Sequence, residues 1–410
     1  MIGELYRDLS PVCAEKLCFR RNLQLAMELD SQPPAVAAVL QTVMIHGPLT
    51  RTEIGQRTGL SSGAVTKAAI PLIDDGWITE LGKTARERSA GRPATPIAVC
   101  GDRAHFLGVK VTADELIGVR IDLAGKPVAA RRAELNTRDV DSVVQAISRL
   151  AKRLIASPKA APGAESHGLG VTISGDVDRK TGAVHYSPFL NWRGVPLAQL
   201  AEKATGIPVV IENDVRALTV AEQLFGAGAG ITSFALVTVG TGVGCGLWVN
   251  GQVISGAHGV AGEIGHLPVS GADRMCTCGN TGCVEAVAAT QPILDQARQA
   301  TGNPRLSMKE AIRLAHNGNS AVRDIFIRAA HALGLALASV ANLIGPERII
   351  LSGEGVVSYE LFADRIRDTF AAQAFGAAAD CEIIMRPLPF EEWARGGAAV
   401  AAMRLVAPRG

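Results

Sequence analysis

Apolar residues recur at helical spacing from Val36 through Val39, Leu40 and Val43, which predicts a helix that Gly47-Pro48 ends. Leu49 leads into Thr50-Arg51-Thr52-Glu53, where Thr50 is a candidate N-cap and Glu53 completes a capping box. Ile54 faces the core of this short second helix and Gly59 closes it. Ser61 and Ser62 can cap a third helix, SSGAVTKAAIPLIDDGWI, with Val65, Ile70, Leu72 and Ile73 as its expected buried stripe. Pro71 lacks a backbone donor and is expected to kink or break that helix. Trp77-Ile78-Thr79 and Pro96-Ile97-Ala98-Val99 read as short strands around a basic tip from Lys83 to Pro93. A helical stretch, EKLCFRRNLQLAMEL, precedes all of these.

The pattern changes after residue 104. HFLGVKVT and ELIGVRIDLAGKPVAAR read as strand, turn, strand, turn, strand, and SFALVTVGTGVGCGLWVNGQVIS repeats that order from Ser233. Helix and strand segments follow each meander, over 141–156, 169–173 and 196–226, and over 308–318, 322–344 and 348–352. This internal duplication predicts two α/β lobes with a small-molecule cleft between them. The expected divisions are 1–100 for the head, 101–231 for the first lobe and 232–410 for the second. The second would carry a loop at 258–290 and a C-terminal helix, EEWARGGAAVAAMRLV, that packs back on the first.

Composition narrows the class. The 410 residues are 48% hydrophobic and 20% charged, enough for sizeable cores, and the net charge of +2 favours no class of partner. No membrane span or secretory signal is read, and a reducing cytoplasm is expected because three of the eight cysteines are clustered as free ligands.

The head has the order of a winged helix-turn-helix. Ser61, Ser62, Thr66 and Lys67 stand on the helix that a major groove would receive, and Arg86, Arg88 and Arg92 in the wing. Arg92 lies in Gly-Arg-Pro, suited to a narrow minor groove. A helical protein-interaction module is the alternative.

His266, Cys276, Cys278 and Cys283 fall in one Gly-rich segment, GEIGHLPVSGADRMCTCGNTGC, and make a tetrahedral zinc site, although Cys-Thr-Cys is tighter than usual knuckle spacing. His258 is read as a turn residue, and Cys13, Cys18, Cys100, Cys245 and Cys381 as buried small side chains. Asn213 or Asp214 can cap the helix that follows PVVI, or present a carboxylate to the cleft. Together with Glu263, His266 and Glu285 they suit a polyhydroxyl ligand. GTGVG, which contains Gly240, Thr241, Gly242 and Gly244, fits a phosphate turn or a plain hairpin equally well.

These motifs resemble the ROK family of sugar-responsive repressors and sugar kinases over nearly the whole chain. The carriers are SSGAVTKAAIPLIDDGWI with SAGRP, ENDVRALTVAEQLFGAG, VTVGTGVGCG, GAHGVAGEIGH and CTCGNTGCVE. The resemblance implies a duplicated actin-like, hexokinase-type fold and zinc on His266, Cys276, Cys278 and Cys283. It implies sugar contacts at Asn191, Asn213, Asp214, Glu263, His266 and Glu285, with Asp214 at the kinase-base position. Kinase members carry Asp-x-Gly-Gly-Thr on the first strand; here the stretch is Gly108-Val109-Lys110-Val111-Thr112-Ala113. Lys110 stands where that Asp would be, and Arg216 departs from the small or amide residue usual after Asn-Asp-x.

The expected function is a sugar-responsive repressor that binds operator DNA as a homodimer or homotetramer and binds a sugar or sugar phosphate without phosphorylating it. The alternatives are an ATP-dependent sugar kinase with a fused DNA-binding head, and a zinc-stabilised scaffold with an empty cleft.

Overall fold

The computed structural model describes residues 33–81, 95–157, 166–269, 271 and 273–406. The chain forms two compact units: one takes the residues through Gly230 and again from Glu391, and the other is Ile231–Phe390.

The first unit begins with helices α1 (Pro34–His46), α2 (Arg51–Thr58) and α3 (Ser62–Asp74), then the antiparallel strands β1 (Ile78–Glu80) and β2 (Ile97–Val99). Thr50 and Glu53 form the capping box, each side chain accepting from the other's backbone N–H. Ser61 caps α3 by accepting from Ala64 N. Pro71 does not break α3, which runs unbroken to Asp74. The carbonyl of Lys67 that Pro71 leaves without a donor belongs to an exposed residue, where water can serve it. The buried stripe is Val65, Ala68, Ala69 and Leu72; Ile70 is 52% exposed, contrary to its expected place, and Ile73 is half-buried. The head is tied to the body through Arg103, whose Nε donates to Asp75 O at 2.8 Å and whose guanidinium lies 4.5 Å from the Trp77 ring centre. The expected wing tip and the stretch before residue 33 lie outside the described residues.

The body of this unit is a five-stranded sheet. Strands β3 (His105–Val111), β4 (Glu115–Asp122) and β5 (Pro127–Glu134) form an antiparallel meander. After α4 (Val140–Ile155), β6 (Ser166–Ile173) pairs parallel with β3. A small three-stranded sheet follows, β7 (Asp176–Asp178), β8 (Ala183–Ser187) and β9 (Trp192–Val195). The span 196–226 then resolves into α5 (Leu197–Thr205), β10 (Val209–Asn213) and α6 (Asp214–Phe225), with β10 parallel to β6.

The second unit repeats the plan. Strands β11 (Phe234–Val239), β12 (Val243–Val249) and β13 (Gln252–Val253) form the meander. Helices α7 (Val284–Ala288), α8 (Thr290–Thr301), α9 (Met308–His316) and α10 (Ser320–Ile344) precede β14 (Arg348–Ser352), which pairs parallel with β11. Helix α11 (Ala363–Gln373) leads to β15 (Glu382–Met385), parallel to β14. The sheet orders β5-β4-β3-β6-β10 and β13-β12-β11-β14-β15 correspond strand for strand, each with one meander and two parallel additions. Helix α10 has the length and apolar composition of a membrane span, contrary to the expectation of none. It buries Phe326, Leu333, Leu337 and Val340 in the core of this unit.

Helix α12 (Glu391–Val406) packs on the first sheet. Side chains on the opposite face of that sheet, among them Val109, Val171 and Ile211, form an apolar core with Ile147, Leu150 and Leu154 of α4. The α12 face has glycines instead. A Cβ at Gly108 would overlap the Ala394 carbonyl, and one at Gly170 would overlap the Gly397 backbone. Helix and sheet therefore meet backbone to backbone, which only glycine permits.

Candidate functional site

Lys110 is the sixth residue of β3, a strand buried throughout. It lies on the face toward α12, with its ammonium 5.5 Å from the Trp393 ring centre. The ammonium donates to Asp214 Oδ2 and, at 3.0 Å, to Ser174 Oγ. Ser174 also donates to Asp214 Oδ2, at 2.5 Å, while Val215 N donates to Oδ1 at 2.9 Å. Burial disfavours the Asp214 anion. The Lys110 charge, with hydrogen bonds from Lys110, Ser174 and Val215, outweighs that and holds its carboxyl below the usual range. A lysine inside the apolar run FLGVKV was the signal for such a partner, because buried lysines are rare unless paired.

Asn213 caps α6: its Oδ1 accepts from Val215 N and Arg216 N, and its Nδ2 donates to Gly175 O at 3.1 Å. Arg216 is buried, donating to Glu212 Oε1 at 2.7 Å and Val177 O at 3.3 Å. Asn191 is exposed in a left-handed conformation at φ 56°. The first unit thus holds Asn191, Asn213 and Asp214; Glu263, His266 and Glu285 belong to the second.

In the second unit, the ligand atoms of His266, Cys276, Cys278 and Cys283 all lie within 4.8 Å of one another. Cys278 Sγ is 3.7 Å from Cys283 Sγ, and Cys276 Sγ is 3.6 Å from His266 Nδ1. A tetrahedral ion with bonds of about 2.3 Å to sulfur puts two thiolates about 3.8 Å apart, close to the Cys278–Cys283 separation, so the set could hold a metal. The loop is folded by its own backbone: Cys276 N donates to Asn280 O, Gly282 N to Arg274 O and Val269 N to Gly282 O. His258 is an exposed turn residue outside the cluster. Cys245 is buried and its thiol is pushed up to about 12, by burial first and then by the Glu263 charge. Cys100 and Cys381 are only half-buried, contrary to expectation, since each sits at the end of an element, where the core thins. Cys13 and Cys18 lie outside the described residues.

Glu285 joins the metal loop to the Gly-rich turn. Its Oε2 accepts from Val243 N at 3.0 Å, and its Oε1 accepts from the Thr277 hydroxyl at 3.4 Å. Within that turn Thr241 N donates to Glu354 Oε1 at 3.0 Å. Glu263 is exposed.

On the head, Ser61, Ser62, Thr66 and Lys67 are all exposed along the first turns of α3. Thr66 donates to Ser62 O at 2.9 Å. Arg86, Arg88 and Arg92 lie outside the described residues.

Comparison with known proteins places this arrangement among relatives. The chain is 28% identical over 364 residues to the DNA-binding transcriptional dual regulator NagC of Escherichia coli, covering 87% of this chain and 88% of that one. It is 24% identical over 352 residues to a xylose repressor of Caldicellulosiruptor bescii, covering 82% and 87%. Among solved structures, a ROK family transcriptional regulator, homologous to the E. coli Mlc protein, superposes with a TM-score of 0.75 at 26% identity, over 91% of this chain and 96% of that one. A ROK family glucokinase from Streptomyces griseus, in complex with glucose and AMPPNP, gives a TM-score of 0.62 at 26% identity, over 73% of this chain and 99% of that one. Residues 106–403 match the ROK family, and with that span covering both sheets and the helices between them, the chain belongs to the ROK family.

Proposed function

We propose that this protein is a sugar-responsive transcriptional repressor that binds operator DNA through its head and senses a sugar without phosphorylating it. One observation carries the reading. The glucokinase is matched over 99% of its length by 73% of this chain, whereas the likeness to the NagC regulator extends over 87% of it. Ahead of the family match, which begins at residue 106, this chain has a capped helix with Ser61, Ser62, Thr66 and Lys67 exposed on its first turns. Such a helix enters a major groove by its N-terminal residues, and Arg88 and Arg92 remain the proposed DNA contacts from the sequence beside it.

From the family resemblance we assign sugar contacts to Asn191, Asn213 and Asp214 in the first unit and to Glu263, His266 and Glu285 in the second, since carboxylates and amides match hydroxyls directionally. Kinase chemistry is disfavoured at two places. Asp214 is already engaged by Lys110 and Ser174, so it is not a free acceptor for a hydroxyl proton. Lys110 also puts a cation where kinase relatives use a carboxylate on the metal–nucleotide side. Zinc on His266, Cys276, Cys278 and Cys283 would have four protein ligands and no open position, so its role is structural. A cytoplasmic homodimer, or a tetramer built from it, would match a palindromic operator. The sugar acts by binding one geometry of the protein more tightly than the other.

A coupled ADP-release assay with glucose, xylose and N-acetylglucosamine tests the non-kinase part. We expect no turnover above background; rates of roughly 1–100 s⁻¹ would establish the kinase alternative.

A further inference from the structure

We propose that the Gly-rich turn at Gly240–Gly244 is an anion site that the chain fills with its own Glu354 carboxylate, so that nucleotide phosphate is excluded by occupancy. The turn donates outward through two amides, and both meet carboxylates. Thr241 N donates to Glu354 Oε1 at 3.0 Å, with the Thr241 hydroxyl 3.5 Å from the same oxygen. Val243 N donates to Glu285 Oε2 at 3.0 Å. Gly240 N is used within the turn, on Gly242 O at 2.9 Å. The carboxylates also take the space beside the glycines. A Cβ at Gly240 would overlap the Glu354 carboxylate, and one at Gly242 would lie 2.7 Å from Glu285 Oε2.

Glu354 is delivered there by backbone. It sits in Ser352-Gly353-Glu354-Gly355, the turn that leaves β14. Gly353 has φ 97°, and Gly355 N donates to Val239 O at 2.8 Å, the last residue of β11. A Cβ at Gly355 would lie 2.9 Å from Val239 O and 3.1 Å from Gly240 Cα. The two turns are therefore pressed together through their glycines, and the side chain between them is Glu354.

A carboxylate offers amide donors the same charged oxygen pair as a phosphate edge. Held in place, it competes at an effective concentration in the mM range or above. An incoming polyphosphate would have to displace Glu354 and also meet the charge of Glu285. The consequence for nucleotide binding rests on the non-kinase reading above; the site itself rests on this geometry.

The test is titration calorimetry of the full chain with inorganic pyrophosphate and with Mg-ADP, in phosphate-free buffer, for the wild type, Glu354→Ala and Glu354→Gln. Glu354 is exposed, so both variants should fold, and their melting curves report it. We expect no saturable binding by the wild type and pyrophosphate binding roughly tenfold or more tighter by Glu354→Ala. Glu354→Gln should fall between, because its amide oxygen still accepts from Thr241 without charge. Equal affinity of wild type and Glu354→Ala, whether both bind or neither does, overturns the proposal. A wild type that binds no DNA would contradict the repressor reading and leave this comparison intact.

Discussion

The Lys110 ammonium is bonded to the Asp214 carboxylate inside the first unit, where both side chains are at least 90% buried. Deleting one partner leaves the other charged, dry and unpaired. Lys110→Met should therefore destabilise the chain by about 3–5 kcal/mol, and adding Asp214→Asn should recover part of that. The pH dependence should change as well. In the wild type the Asp214 carboxyl is held low, so its contribution is present above the unfolded value of about 3.9 and lost as pH falls below it. In Lys110→Met burial would be opposed only by the bonds from Ser174 and Val215, so the carboxyl should rise from its wild-type position and the deficit should shrink as pH falls toward the unfolded value. Urea unfolding of all three proteins at neutral and mildly acidic pH checks both statements.

His167 should make the first unit acid-sensitive in a higher window. Burial first, then the charges of Arg103 and His105, lowers its pKa to about 4, and its Nδ1 is a buried atom without a partner among the described residues. A base held neutral in the fold contributes stability above the unfolded value of about 6.5 that is lost as pH falls toward the folded one. We expect the melting temperature to drop between those limits, and the slope to flatten in His167→Leu. Parallel slopes in the two proteins would remove His167 from the account.

Gly397→Ala should destabilise although it replaces a helical glycine. In an open helix that change gains up to about 1 kcal/mol. Here the new Cβ would lie 2.6 Å from Gly170 O and 3.1 Å from Thr172 Cγ2, so overpacking, at about 1–3 kcal/mol, outweighs the propensity gain. A variant that melts at or above the wild-type temperature would show that α12 can move off the sheet.

The metal cluster predicts about one zinc per chain by elemental analysis. Cys276→Ser should lose most of it, melt lower and respond less to sugar, because Thr277 bonds Glu285 and Glu285 bonds the backbone at Val243. Full sugar binding by a zinc-free variant would contradict that coupling.

Much of this was legible in the sequence, for reasons visible in particular residues. The capping box at Thr50 and Glu53 and the metal cluster are local, and side-chain chemistry at short spacing determines them. The meanders were readable because Asn250-Gly251 and strand alternation are period signals. The small sheet β7–β9 was missed, since its strands have three to five residues and carry charges such as Arg193 and Asp178. Helices α8 and α11 were missed too; Thr290-Gln291-Pro292 opens one with Pro, and the other follows a 3₁₀ segment that blurs its start. Ile70 was misplaced because four apolar or small residues in succession from Ala68 give no unique face. The partners of Lys110 and Gly240 lie 104 and 114 positions away in Asp214 and Glu354, and no local pattern encodes such pairs.

The central claim is that one chain reads DNA and a sugar changes that reading. The most direct test is fluorescence anisotropy of the full-length protein on duplex DNA selected by it from a random pool, titrated with xylose, N-acetylglucosamine, glucose and their phosphates. The account predicts salt-sensitive binding to the selected duplex and a shift of about tenfold or more in affinity with one of these ligands, a coupling of about 1.4 kcal/mol. No duplex enriched at low salt, or affinity unchanged by every sugar on the panel, would contradict it.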